Sequence, residues 1–142
     1  MIYGLTGKSN FQCPGVKTMV ECVAQKAREV HDLVAIKLLG QDVALTGDGW
    51  ESRSGQSFYS LTAHVGDPNT YELERHTLAC RAMHDRHTGV NVCNLNQELL
   101  KEFGVRNGRI TSFTSDTAAN QKKAVRLMGV PFIACACHVL EL

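Results

Sequence analysis

Two aspartates carry the clearest chemical signal in the chain. Asp48 follows the run Val43-Ala44-Leu45-Thr46-Gly47, and Asp116 follows Ile110-Thr111-Ser112-Phe113-Thr114-Ser115. Each run reads as a strand, and in α/β sheets ligand sites gather beyond strand ends, where the connection direction switches. If the two strands are neighbours, both carboxylates arrive at one edge. Paired carboxylates are oxygen ligands of the kind Mg²⁺ or Mn²⁺ takes, and two such ions drive in-line phosphoryl displacement. The plainer alternative makes Asp48 a turn residue within Gly47-Asp48-Gly49 and Asp116 a helix cap, both common places for aspartate.

Other groups give weaker signals. Cys135, Cys137 and His138 cluster, and His84-x-x-His87 follows a predicted strand. A structural zinc wants four ligands in tetrahedral geometry. In an extended chain, Cys137 and His138 would point to opposite faces. Buried thiols in a core strand are the expectation here. Trp50 is expected to pack under the Asp48 turn and not to line a DNA groove. His31, His64 and His76 are expected at core or surface positions. Lys122, Lys123 and Arg126 share one helix after Asp116 and could meet phosphates; a solvated face accounts for them equally well. Gly7-Lys8-Ser9 resembles the end of a phosphate-binding loop, but Ile2 occupies the place of its first glycine.

Several elements must position these residues. Residues 1–16 show no sustained period and read as an irregular leader. Over 17–39, Val20, Val23, Ala27, Val30 and Val34 form one apolar stripe of a helix that Gly40 ends. That helix is expected to pack on its own domain. The period then changes to two: Asp42–Thr46, Ser57–Val65 and Tyr71–Met83 read as three strands of a meander, with Tyr59, Leu61, Ala63 and Val65 on one face of the second. A helix over Thr88–Phe103 has Thr88 as N-cap and Gly104 as its stop. Arg109–Ser115 is a strand, Thr117–Met128 a basic-faced helix, and Pro131–Cys137 a last strand. The order β-β-β-α-β-α-β after a long N-terminal helix predicts an α/β fold with a mixed sheet and helices on both faces. The domain expectation is a leader (1–16), a connecting helix (17–40) and a core (41–142).

Composition narrows the class. With 44% hydrophobic and 20% charged residues, the 142-residue chain is that of an ordinary single domain, not a disordered one. Fifteen Lys and Arg against fourteen Asp and Glu leave a formal charge of +1, which excludes a strongly basic arm but not a local DNA-binding patch. No apolar run approaches the roughly 20 residues of a membrane span. The first ten residues carry no secretory signal pattern, so the six cysteines are expected as reduced thiols.

The local wording resembles a known family. Thr46-Gly47-Asp48-Gly49-Trp50-Glu51-Ser52-Arg53 is similar to the T-x-D-x-W-[ST]-S segment of hAT-superfamily transposases. Further segments follow in the family's order. Ser57–His64 looks like its second strand, Leu78-Ala79-Cys80-Arg81 like the end of its third, and His87-Thr88-Gly89 like its HTG helix start. Ser115-Asp116-Thr117-Ala118-Ala119-Asn120 resembles its second acidic motif, usually D-N-A-x-N. Cys135-Ala136-Cys137-His138-Val139-Leu140-Glu141-Leu142 matches C-x-x-H-x-L-N-L. The resemblance runs from Asp42 to the end and is nearest to BED-type zinc finger transposase-derived proteins.

This resemblance implies an RNase H-like fold and makes Asp48 and Asp116 the first two carboxylates of a D-D-E site. Active relatives use such a site with Mg or Mn to cut and join DNA, and Cys135 and His138 would lie near it. The family's third acid lies downstream of C-x-x-H, where this chain does not reach. Glu141 replaces the asparagine of L-N-L, Thr117 replaces an asparagine, and Asn91 a glutamate. The BED finger and the C-terminal dimerisation region have no counterpart here either. Two acids without a third hold a metal poorly, so the expectation is a truncated or decayed transposase core in the nucleus, with no bound Mg or Mn and without catalysis, that binds DNA or a partner. Two alternatives are a fragment of an active metal-dependent transposase and an interaction module built on the 17–39 helix.

Overall fold

A computed structural model describes residues 13–140. These form α1 (Val16–Leu38), β1 (Val43–Glu51), β2 (Ser57–Gly66), β3 (Leu73–Met83), α2 (Gly89–Glu102), a 3-10 turn (Asn107–Arg109), β4 (Ile110–Ser115), α3 (Ala119–Met128), β5 (Phe132–Ala134) and α4 (Ala136–Leu140). Most of the expected leader, and the Glu141-Leu142 end of the C-x-x-H segment, lie outside the described residues. The described residues fall into two structural units, one ending at Val30 and one beginning at His31.

In the first unit every described residue is exposed, including Val20, Val23, Ala27 and Val30. Within that unit, among the described residues, nothing covers the stripe. A helical period records that an apolar face exists, not what covers it. Further along α1, Leu38 is buried and Val34 and Ala35 pack against the core of the second unit.

The second unit is built on one sheet with strand order β3-β2-β1-β4-β5. Short hairpins make β1, β2 and β3 antiparallel, whereas β1–β4 and β4–β5 are parallel because helices connect them. This is the mixed α/β sheet that the element order predicts, and it fits the RNase H-like fold that the resemblance implies. Tyr59, Leu61 and Ala63 of β2, Leu45 of β1 and Phe113 of β4 are all buried on the same side.

The helices do not divide between the two faces as expected. α2 and α3 pack against each other and contribute to the same core through Val92, Leu99, Ala124 and Val125. Their contact is close enough that a Cβ on Gly89 would lie 2.6 Å from Lys123 Cβ and 2.8 Å from the Asn120 carbonyl oxygen. The opposite sheet face carries Thr46, Ser60, Thr62, His64 and Thr114, all half-buried.

Local signals explain the element ends. Thr88 caps α2, its hydroxyl accepting from the Asn91 N–H at 3.2 Å. Gly104 and Gly129 stop α2 and α3 in the left-handed region, with φ of 68° and 70°. β1 outruns its expected end at Thr46, because Gly47 through Glu51 continue to pair with β2 as far as Ser57. β5 is shorter than expected, and α4 follows it at once.

Placing a larger side chain at Gly89 tests the helix contact. Gly89→Val should lower stability by about 1–3 kcal/mol, the usual cost of overpacking, and so reduce the urea midpoint. An unchanged midpoint would contradict the close approach of α2 and α3.

Candidate functional site

Strand register brings the two aspartates together. In the parallel β1–β4 pair Thr46 stands opposite Thr114. Side chains alternate along strands, so two residues further on Asp48 and Asp116 emerge on the same face at adjoining positions. Both line a pocket of about 200 Å³, together with Ser60, Thr62, Cys135 and His138.

Neither aspartate occupies the plainer position. Asp48 is not in a turn: it lies within β1 opposite Ser60, because pairing with β2 carries the strand past both glycines. Asp116 is the first residue after β4, and its Oδ1 accepts from the Ala118 N–H at 3.1 Å. It thereby shapes the turn into α3, whose N-cap is Ala118. Among the described residues neither carboxylate has an ion-pair partner.

Beneath the pocket, packing dictates a glycine next to Asp48. A Cβ on Gly47 would collide with the Tyr59 hydroxyl and come within 2.7 Å of the Phe113 ring. Burial raises the Tyr59 phenol far above its ordinary pKa; neighbouring Asn96 opposes this, and the charges of Asp48 and Asp116 add to it. Tyr59 is therefore a neutral phenol under the carboxylates. Its hydroxyl lies beside Asn96 without the geometry of a hydrogen bond, and Asn96 Oδ1 and Gln121 Oε1 are likewise buried and unpaired among the described residues.

The Cys135–His138 segment differs from its extended expectation. The Cys135 N–H donates to the Ser115 carbonyl at 2.8 Å, and the chain then turns helical, with the Val139 N–H bonded to the Cys135 carbonyl. Three residues apart on a helical turn, Cys135 and His138 share one face. The His138 ring pulls the Cys135 thiol below its ordinary pKa, helped by the backbone N–H groups of His138 and Cys137. His138 is raised in return, mainly by the neighbouring Cys135 side chain. Partial desolvation opposes the rise, and the negative charges of Cys135, Asp116 and Asp48 add to it. The thiols are not the buried core groups expected: Cys135 is half-buried and Cys137 exposed. Among the described residues no three His, Cys, Asp or Glu side chains gather into a metal-holding cluster.

Other candidates take different places. Trp50 does not pack under a turn; it is 41% exposed and stacks on Phe58, its cross-strand partner, with ring centroids 5.7 Å apart. Lys122, Lys123 and Arg126 lie on the exposed side of α3, while Gln121, Ala124, Val125 and Met128 are buried. His84 is exposed. The His87 carbonyl accepts from Asn120 Nδ2 at 3.0 Å, which ties the start of α2 to α3. His64 bonds the Thr46 hydroxyl, and burial lowers its pKa, with Arg75 adding. Sequence reasoning missed the hydroxyls of Ser60, Thr62 and Thr114 as pocket walls. Their signal was the alternation of β2, whose polar residues face away from Tyr59 and Leu61.

The strand order and the position of the acidic pair define an RNase H-like α/β domain. A family model described as the ZBED1 RNase-like domain matches residues 46–133. That span exceeds half the chain, and the chain belongs to this family, a ZBED/hAT-derived RNase H-like group of transposase origin. Comparison with curated proteins finds no match. None of the described helices is long and apolar enough to cross a membrane.

The charges around His138 are open to titration. Cys135→Ala should lower the His138 pKa, and Asp48→Asn or Asp116→Asn should lower it by less, as followed by NMR of the ring protons. A His138 titration identical in all three variants would contradict the pocket's electrostatics.

Proposed function

We propose that this chain is a transposase-derived domain that binds DNA without cutting it. The ligand set of the pocket carries the reading. Asp48 and Asp116 meet hydroxyls, one thiol and one imidazole, and among the described residues no third carboxylate lines the pocket. A Mg²⁺ or Mn²⁺ ion on two carboxylates takes its remaining octahedral positions from water or phosphate oxygens. Such an ion bridges the protein to a backbone phosphate, whereas two-metal cleavage needs further ligands. Lys122, Lys123 and Arg126 follow Asp116 on α3, have no ion-pair partner among the described residues, and are read as contacts to adjoining phosphates. Nuclear residence and an ancestry among transposable elements accompany this reading.

The test is fluorescence anisotropy with duplex DNA over a range of salt. Replacing Lys122 and Lys123 by glutamine should weaken binding to all sequences and reduce the salt slope by about two, one for each lost phosphate contact. Unchanged affinity and slope would overturn the assignment. No nicking should appear with Mn²⁺. Nicking that Asp48→Ala and Asp116→Ala each abolish would establish the rival, a metal-dependent D-D-E transposase.

One observation favours a second reading, a pairing helix. Val20, Val23 and Val30 are 62%, 64% and 48% exposed on one stripe of α1. On that reading the protein self-associates in sedimentation velocity and Val23→Asp restores a monomer. A wild-type monomer at high concentration would remove it.

A further inference from the structure

At the other end of the strands from Asp48 and Asp116 lies a larger concavity, with a volume of about 710 Å³. It opens where α1 and α2 end and β1 and β4 begin. Gly40 and Gly104, both with positive φ, turn the chain sharply away from the two helices and leave the space between them. The floor is apolar: Leu38, Leu100 and Val105 are almost fully buried, and Leu39 stands 70% exposed at the lip.

The rim is cationic. Lys101, Arg106 and Arg109 line it, and among the described residues no acidic side chain does. Arg109 bonds Asp42 just outside the groove at 3.1 Å, whereas Lys101 and Arg106 have no ion-pair partner among the described residues. Lys101 also lies in the last turn of α2, where a cation offsets the helix dipole. That role leaves its exposed ammonium open to another anion. Gln41 and Gln97 add amide groups for a peptide backbone.

We infer that this groove docks an acidic, amphipathic peptide segment of another protein. Its aspartates or glutamates pair with the Lys101–Arg106–Arg109 rim, and one or two apolar side chains cover the Leu38–Leu100–Val105 floor. Charge complementarity selects an anionic partner. The apolar floor selects a peptide over a nucleic acid, because a phosphate backbone leaves that floor wet whereas an apolar anchor buries it. The inference does not depend on DNA binding, since no residue of the groove belongs to the acidic pocket or to α3.

The experiment uses the full chain and a short fluorescein-labelled peptide with two leucines at i and i+4, flanked by aspartates and glutamates. Anisotropy should report saturable binding, and NMR shifts should centre on the amides of Gly40, Lys101, Gly104 and Arg106. Exchanging the peptide's acids for glutamines should weaken binding by roughly tenfold or more. Lys101→Glu with Arg106→Glu should do the same, with only a small fall in the urea midpoint from the lost helix-end cation, and Leu39→Asp should also reduce affinity. The inference is overturned if millimolar peptide leaves those amides unmoved or if the charge-reversed variant binds equally well. It is also overturned if duplex DNA, and not the peptide, shifts them.

Discussion

The parallel pairing of β1 with β4 is the constraint from which the rest of this domain follows. With Thr46 opposite Thr114, the residues two positions further along both strands are Asp48 and Asp116. A slip of one residue in either strand would send one carboxylate into the core face. The register is held from the buried side, where Leu45 and Phe113, themselves cross-strand partners, are both fully enclosed. Burial of one sheet face thus fixes the chemistry presented on the other.

The same economy of space appears twice on the core side of the sheet. Gly47 lets the Tyr59 ring and Phe113 close under β1, and Gly89 lets α2 meet α3. Both glycines lie within segments that also carry chemical candidates, next to Asp48 and after His87. Close packing and site architecture are therefore one requirement at these positions. A larger side chain at either would shift a backbone that also positions a polar group.

Much of this was legible in residue order. Alternation marked β2, Thr88 and Gly104 marked the ends of α2, and the strand–helix order pointed to a mixed sheet. The errors have physical causes. Gly47 and Gly49 flank Asp48 and suggest a turn, but pairing with β2 overrides their low strand propensity. The run Pro131–Cys137 is apolar throughout, so periodicity cannot separate its three strand residues from the helical turn that brings Cys135 to His138. The valine stripe of α1 has a helical period whether or not anything covers it. That α2 and α3 share one face, and that a basic groove forms at the strand beginnings, depends on contacts between distant segments.

The central claim is that Asp48 and Asp116 act as one two-carboxylate anchor for a divalent ion shared with nucleic acid. Paramagnetic broadening by Mn²⁺ in amide NMR spectra tests it most directly, before and after addition of duplex DNA. The account predicts selective broadening of resonances at Asp48, Asp116 and His138, lost in Asp48→Asn and occurring at lower Mn²⁺ once DNA is present. Broadening spread over surface carboxylates such as Glu98 and Glu102, with the pocket untouched and no effect of DNA, would contradict it.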